Sequence, residues 1–239
     1  LKISLYENSN NPGFIKLIDS MGDDGLTSVN AARASFGVTK NALDARDKKL
    51  LEYCMREKHT SIFEHNTVTF AFKVPLFVAR QHMRHRTWSF NEISRRYTSV
   101  NIDFYTPNTF RSPHDTNRQA SISNSSLNPV LKITNGELND YPLTAHQAVN
   151  AHIESSLHLF NTLIENNICR EQARMVLPQN MYTTYWGTVN LNNLIKFIEL
   201  RDHEGAQLEI QEMARGCKKI IKHIWPETFS IYEKVNNDT

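Results

Sequence analysis

The chain has 239 residues, with 27 Lys and Arg against 25 Asp and Glu, a formal net charge of +2. At 40% hydrophobic and 22% charged it reads as an ordinary folded protein, long enough to bury a substantial core without staples. No run approaches the roughly 18 apolar residues that cross a bilayer, no basic-then-apolar leader opens the chain, and a near-neutral total argues against coating nucleic acid.

Residues 2–6 alternate apolar and polar side chains and predict a strand. Helices are expected at 14–21, 26–36 and 41–58; in the last, Leu43, Leu50, Leu51 and Cys54 fall near helical spacing. Thr67 to Val74 is β-rich and alternating and predicts a strand. Pro75, tolerated in a first helical turn, opens a helix to about residue 85. Residues 111–140 hold five Ser, five Asn and two Pro, and predict an exposed polar excursion with a short hairpin or helix in it. Helices follow at 143–166 and 170–177, then a strand at 181–189. Asn190 stands at the N-cap of a helix over 191–203, followed by helices at 205–224 and near 227–235. The sum is an α+β protein, rich in helix, with a modest sheet.

The charge is not evenly spread. Arg80, Arg84, Arg86, Arg95 and Arg96 lie within seventeen positions with His82 and His85, and Glu92 is the one acid among them. Such a cluster is either a solvated or salt-bridged face, or an anion site in which guanidinium forks grip phosphate bidentately. Interleaved Ser89, Asn91 and Ser94 add polar groups, while Trp88, Phe90 and Tyr97 add flat surfaces for a base or an isoalloxazine ring. Residues 80–97 also admit a different reading, a module that binds single-stranded nucleic acid. His82 and His85 are not expected to hold a metal, because the neighbouring arginines repel a cation.

Residues 84–97 read Arg-His-Arg-Thr-Trp-Ser-Phe-Asn-Glu-Ile-Ser-Arg-Arg-Tyr. This resembles the signature of flavin-dependent thymidylate synthases, Arg-His-Arg, seven residues, then Ser. His59-Thr60-Ser61-Ile62-Phe63-Glu64-His65 resembles that family's upstream element. Ala173 to Pro178, Thr188-Val189-Asn190, Leu200-Arg201 and Ala206-Gln207-Leu208-Glu209-Ile210 resemble its downstream ones. The resemblance implies one domain over 1–239 with a mainly antiparallel sheet flanked by helices, assembled as a homotetramer with shared sites. It implies reductive methylation of dUMP to dTMP, with methylenetetrahydrofolate as one-carbon donor and a hydride relayed from NADPH by FAD. It involves no nucleic acid and no membrane.

By the same resemblance, Gln81, His82, Met83, Arg84, Glu92, Ile93, Ser94, Arg95, Arg96, Arg174 and Arg201 form the dUMP side. His59, Ser61, Arg84, His85, Arg86, Glu92, Asn190, Asn192 and Lys196 form the FAD side. Arg201 is the implied catalytic residue, a cation that polarises the uracil ring and stabilises charge developing on it. Ser94 reads better as a phosphate ligand than as a nucleophile, since the sequence shows no base beside it. Asn192, Lys196 and Gly205 depart from the family's usual residues. No Gly-x-Gly occurs, so a flavin here would be held by side chains and subunit contacts. Cys54, Cys169 and Cys217 form no Cys-x-x-Cys pair, which suits a reducing, cytoplasmic setting; Cys54 and Cys217 read as packing residues.

Overall fold

The computed structural model describes all residues except 119, 123–124, 133–141 and 238–239, so part of the polar excursion lies outside the described residues. The first elements are strands β1 (Lys2–Leu5) and β2 (Gly13–Met21) and helices α1 (Leu26–Arg33) and α2 (Ala45–Arg56). They are followed by β3 (Thr67–Pro75), α3 (Leu76–His82) and β4 (Ser89–Glu92). Two-residue strands β5 (Val130–Leu131) and β6 (Leu143–Thr144) pair with each other inside and just after the excursion. Then come α4 (Ala145–Glu165), α5 (Arg170–Ala173), β7 (Tyr182–Asn190), α6 (Leu191–Arg201), α7 (Leu208–Ile224) and α8 (Pro226–Asn237). Among the described residues no helix is long and apolar enough to cross a membrane.

β1, β2, β3, β7 and β4 lie side by side in that order, every pair antiparallel. β3 shows why the sheet forms. Val68, Phe70, Phe72 and Val74 are all buried while their neighbours are only partly covered, the period-two pattern of a strand with one face on a core. Each such burial contributes about 1.5–3 kcal/mol of transfer free energy. Opposite them on β7, Thr183, Tyr185, Gly187 and Val189 turn to the same side. α7 packs on β1 and β2, and α6 on β7; α7 contributes Ile210, Met213, Cys217 and Ile220 to the core, and α6 contributes Leu194, Phe197 and Ile198.

The expected helix at 14–21 is a strand. A register shift between Leu17 and Asp19 breaks the alternation of β2, so its apolar residues mimic a helical spacing. The helix expected at 41–58 starts only at Ala45, because Asp44 caps it: its carboxylate accepts the Arg46 and Asp47 amides in a capping box. The helix expected to reach residue 85 ends at His82, and the one expected from 205 starts at Leu208. β4, inside the arginine cluster, was not foreseen. The strand at 181–189 and the Asn190 cap, whose side chain accepts the Asn193 amide at 2.9 Å, are as expected.

Candidate functional site

The arginine segment is pinned at two buried points. His82, at the end of α3, is fully buried, with Nδ1 2.8 Å from the Tyr185 hydroxyl. Its ring packs against Trp88 at 4.3 Å, Phe197 at 4.8 Å and Phe90 at 5.0 Å between centroids. Trp88 is itself in the core, and a side chain at Gly187 would sit 3.2 Å from its indole, so the glycine makes room for it. Between these anchors the backbone turns, with the His85 and Trp88 amides donating back to His82 and His85 carbonyls. Arg84 and Arg86 are left exposed. Arg80, Arg84, Arg86 and Arg174 are all exposed, and their side chains make no hydrogen bond or ion pair among the described residues. A salt-bridged face would have neutralised them; an anion site needs them free.

Arg201 ends α6, and its Nε lies 3.1 Å from His85 Nε2. A guanidinium only donates, so His85 Nε2 is the acceptor and its proton sits on Nδ1. Burial, then the nearby Arg201 charge, lowers the His85 pKa and favours that neutral ring. Burial also lowers the Arg201 pKa. The His85 ring rests on Phe197 at 5.0 Å, one α6 turn before Arg201. The terminal nitrogens of Arg201 have no partner among the described residues and are available to a ligand.

A second group comprises Glu92 at the end of β4, Ser94 and Arg96 just after it, and Arg174 just after α5. Glu92 closes β4 and accepts the Thr183 hydroxyl at 2.5 Å. Ser94 Oγ accepts the Arg96 amide at 3.2 Å, and no base is bonded to it among the described residues. Arg96 pairs with Glu171 at 3.0 Å, drawing the turn toward α5, which precedes Arg174. No hydrogen bond or ion pair joins this group to Arg84 and Arg201 among the described residues.

Several expected site residues are otherwise engaged. The His82 side chain belongs to the core and cannot face a nucleotide. Arg95 is buried and donates to the Val100 and Asn101 carbonyls at 2.7 and 3.0 Å, so it braces a loop instead of gripping phosphate. Trp88 and Phe90 stack at 6.0 Å within the aromatic cluster, which leaves Tyr97 as the exposed flat ring. That takes two of the three rings of this segment out of reach of a single-strand reader. Met83 is half-buried, packed against the core, and Ile93 is exposed, its amide bonded to the Thr184 carbonyl at 2.9 Å. Sequence spacing cannot distinguish such inward residues from their outward neighbours; burial can.

Five of the expected flavin residues, His59, Ser61, Asn190, Asn192 and Lys196, lie at the start of α6 or at the turn packed on it, while His85 lies at the helix's end and Glu92 on β4. His59 and Ser61 are exposed around a short 3-10 turn at 60–64, which packs on α6. Asn192 is buried and donates to Glu64 Oε1 at 2.9 Å, so it ties this turn to the helix rather than reaching a ligand. Glu64 was not singled out for that role. Lys196 is exposed one turn further on, beside a small cavity of about 70 Å³. At Gly205 the backbone amide donates to His203 Nδ1 at 3.0 Å. Cys54 and Cys217 are buried, and burial pushes both thiols up, so neither is a ready nucleophile. A cavity of about 810 Å³, with Phe77, Tyr105, Phe110, Arg111 and Glu209 in its wall, is lined by none of the expected site residues.

The buried histidine makes stability depend on pH. Burial, then His85 and Arg201, holds the His82 pKa well below its ordinary 6.5. The unfolded chain therefore takes up a proton below pH 6.5 that the native one refuses, and stability falls as pH drops. The slope is about 1.4 kcal/mol per pH unit for one such group, and His85 adds to it with the same sign. Urea unfolding is expected to show little pH dependence near pH 7.5 and to approach this slope only below about pH 6, with His82→Gln reducing it.

The family model described as "Thymidylate synthase complementing protein" matches residues 16–227 of the chain. A flavin-dependent thymidylate synthase of Thermosipho melanesiensis is 38% identical over 224 residues, 94% of this chain and 92% of the relative. One from Thermus thermophilus is 39% identical over 223 residues, 93% of this chain and 76% of its own. Among solved structures, the UMP/dUMP methylase PolB of Streptomyces cacaoi, bound with 5-Br UMP, superposes with a TM-score of 0.75 at 30% identity. The match covers 93% of this chain and 94% of that one.

Proposed function

We infer the reaction of this chain from its family, for the chain belongs to the flavin-dependent thymidylate synthases and is a flavin-dependent methyltransferase. The proposed reaction converts dUMP to dTMP. Methylenetetrahydrofolate donates the carbon, FAD is the flavin, and NADPH is the reductant. The observation that carries the reading is the set of exposed, unpaired arginines around a turn that ends beside Arg201.

Arg84 with Arg174 and Arg96 suits a phosphate dianion, each charge-assisted bond being about twice as strong as a neutral one. Arg201, held through Nε by neutral His85, would place its remaining N–H groups against a uracil carbonyl and stabilise negative charge developing on the ring. His59, Ser61, Arg84 and Arg86 are exposed and fit a flavin nucleotide's polar and anionic parts. Asn192, committed to Glu64, does not. When bound, reduced flavin supplies the hydride that completes the methyl group. The proposed assembly is a homotetramer in which neighbouring copies complete each site.

Purified protein incubated with FAD is expected to turn yellow, to oxidise NADPH when dUMP and methylenetetrahydrofolate are present, and to release dTMP. Protein that stays colourless in excess FAD and forms no dTMP overturns the reading.

A further inference from the structure

The first turn of α7 carries a buried carboxylate. Glu209 is 4% exposed, and its oxygens accept from the Tyr105 hydroxyl at 3.0 Å and from Arg111 Nη2 at 2.8 and 2.9 Å. A third donor is the Gln207 side-chain amide, with Nε2 2.8 Å from Glu209 Oε2. A carboxylate paired with a guanidinium can only accept, so Gln207 must offer it nitrogen and not oxygen. The Gln207 oxygen is thereby turned the other way, where it accepts from Gln81 Nε2. That bond in turn settles Gln81: its nitrogen is engaged by Gln207, and its oxygen is left without a partner among the described residues.

We propose that Glu209 is a positioning residue which, through Gln207, locks the Gln81 carboxamide in one of its two flips and presents Oε1 as an acceptor to the nucleotide. The inference rests on the proposed dUMP reaction and on Gln81 belonging to its nucleotide side. The ligand partner is an N–H or O–H donor, such as the uracil imide or a ribose hydroxyl, because an amide oxygen repels phosphate. The relay also gives the start of the polar excursion a task. Arg111 donates to Ser121 Oγ at 2.8 Å and pairs with Glu209, whose carboxylate oxygens accept. Without a fixed acceptor at its end, a row of two amides has no preferred direction.

The test compares Gln207→Leu, Gln81→Leu and the double variant, assayed with FAD-loaded protein. Gln207→Leu cuts the relay while leaving the Arg111–Glu209 pair intact, so folding is preserved where Glu209→Gln would unpair a partly buried cation. The expected result is a rise of five-fold or more in the KM for dUMP with kcat within about two-fold and an unchanged flavin spectrum. Gln81→Leu should show a KM rise at least as large, and the double variant no more than Gln81→Leu alone. A wild-type KM in Gln207→Leu, or effects that multiply in the double variant, overturns the relay. A wild-type protein that takes up no flavin and makes no dTMP overturns instead the reaction on which the relay rests.

Discussion

Arg201→Ala is expected to lower the rate of dTMP formation by about 10²–10³-fold, the usual cost of removing one charge-stabilising donor, while the protein still folds and takes up flavin. The separation follows from where Arg201 sits. It ends α6, after the buried residues that hold the helix to the sheet, and its one described side-chain bond is to His85. Truncation therefore removes a cation without opening the core. Arg201→Lys is expected to recover only part of the rate, because an ammonium cannot both reach His85 as the Nε does and present a planar fork. Steady-state dTMP production, with flavin absorbance and thermal unfolding as controls, reads both. Near-normal turnover in Arg201→Ala would remove its catalytic role.

Phe197→Ala is expected to cost about 3–5 kcal/mol of stability, the range for emptying a buried phenylalanine site. Phe197 is fully buried, and its ring meets His82, His85 and Trp88 at 4.8, 5.0 and 5.5 Å. It thus supports both anchors of the arginine turn and the histidine that holds Arg201. Flavin uptake and turnover should weaken along with stability, whereas Phe197→Leu, which fills most of the space, should lose much less of either. Urea unfolding beside flavin titration separates the two effects. A loss of stability with unchanged turnover at low temperature would show that the turn does not depend on this ring.

Much of the fold was legible because its signals are local. The alternation in β3, the turn of Asn190 into α6 and Pro226 just after α7 depend on a few neighbouring residues, whereas α5 ends at Ala173, well before Pro178. β2 was misread because one bulge residue shifts its pattern out of phase. β4 was missed because a four-residue edge strand rich in polar side chains has no periodicity of its own; its pairing with β7 creates it. The candidate site divides in the same way. Arg84, Arg86 and Arg174 were found by residue type and motif, and the fold leaves them exposed and unpaired. His82, Arg95 and Asn192, equally polar and just as close to the motif, turn inward to Tyr185, to loop carbonyls and to Glu64.

The near-neutral total of +2 argues against a nucleic-acid coat, and the clustering of five arginines in seventeen residues points to an anion site. By itself, then, the sequence determined the family and named the kind of ligand and the segment proposed to meet it, because these rest on residue chemistry and order along the chain. Tertiary structure alone decided which charges remain free, that His85 is neutral and holds Arg201, and that Glu209 stands behind Gln81. Those depend on desolvation and on hydrogen bonds between residues as far apart as Gln81 and Gln207, and such partners are chosen only when the chain packs.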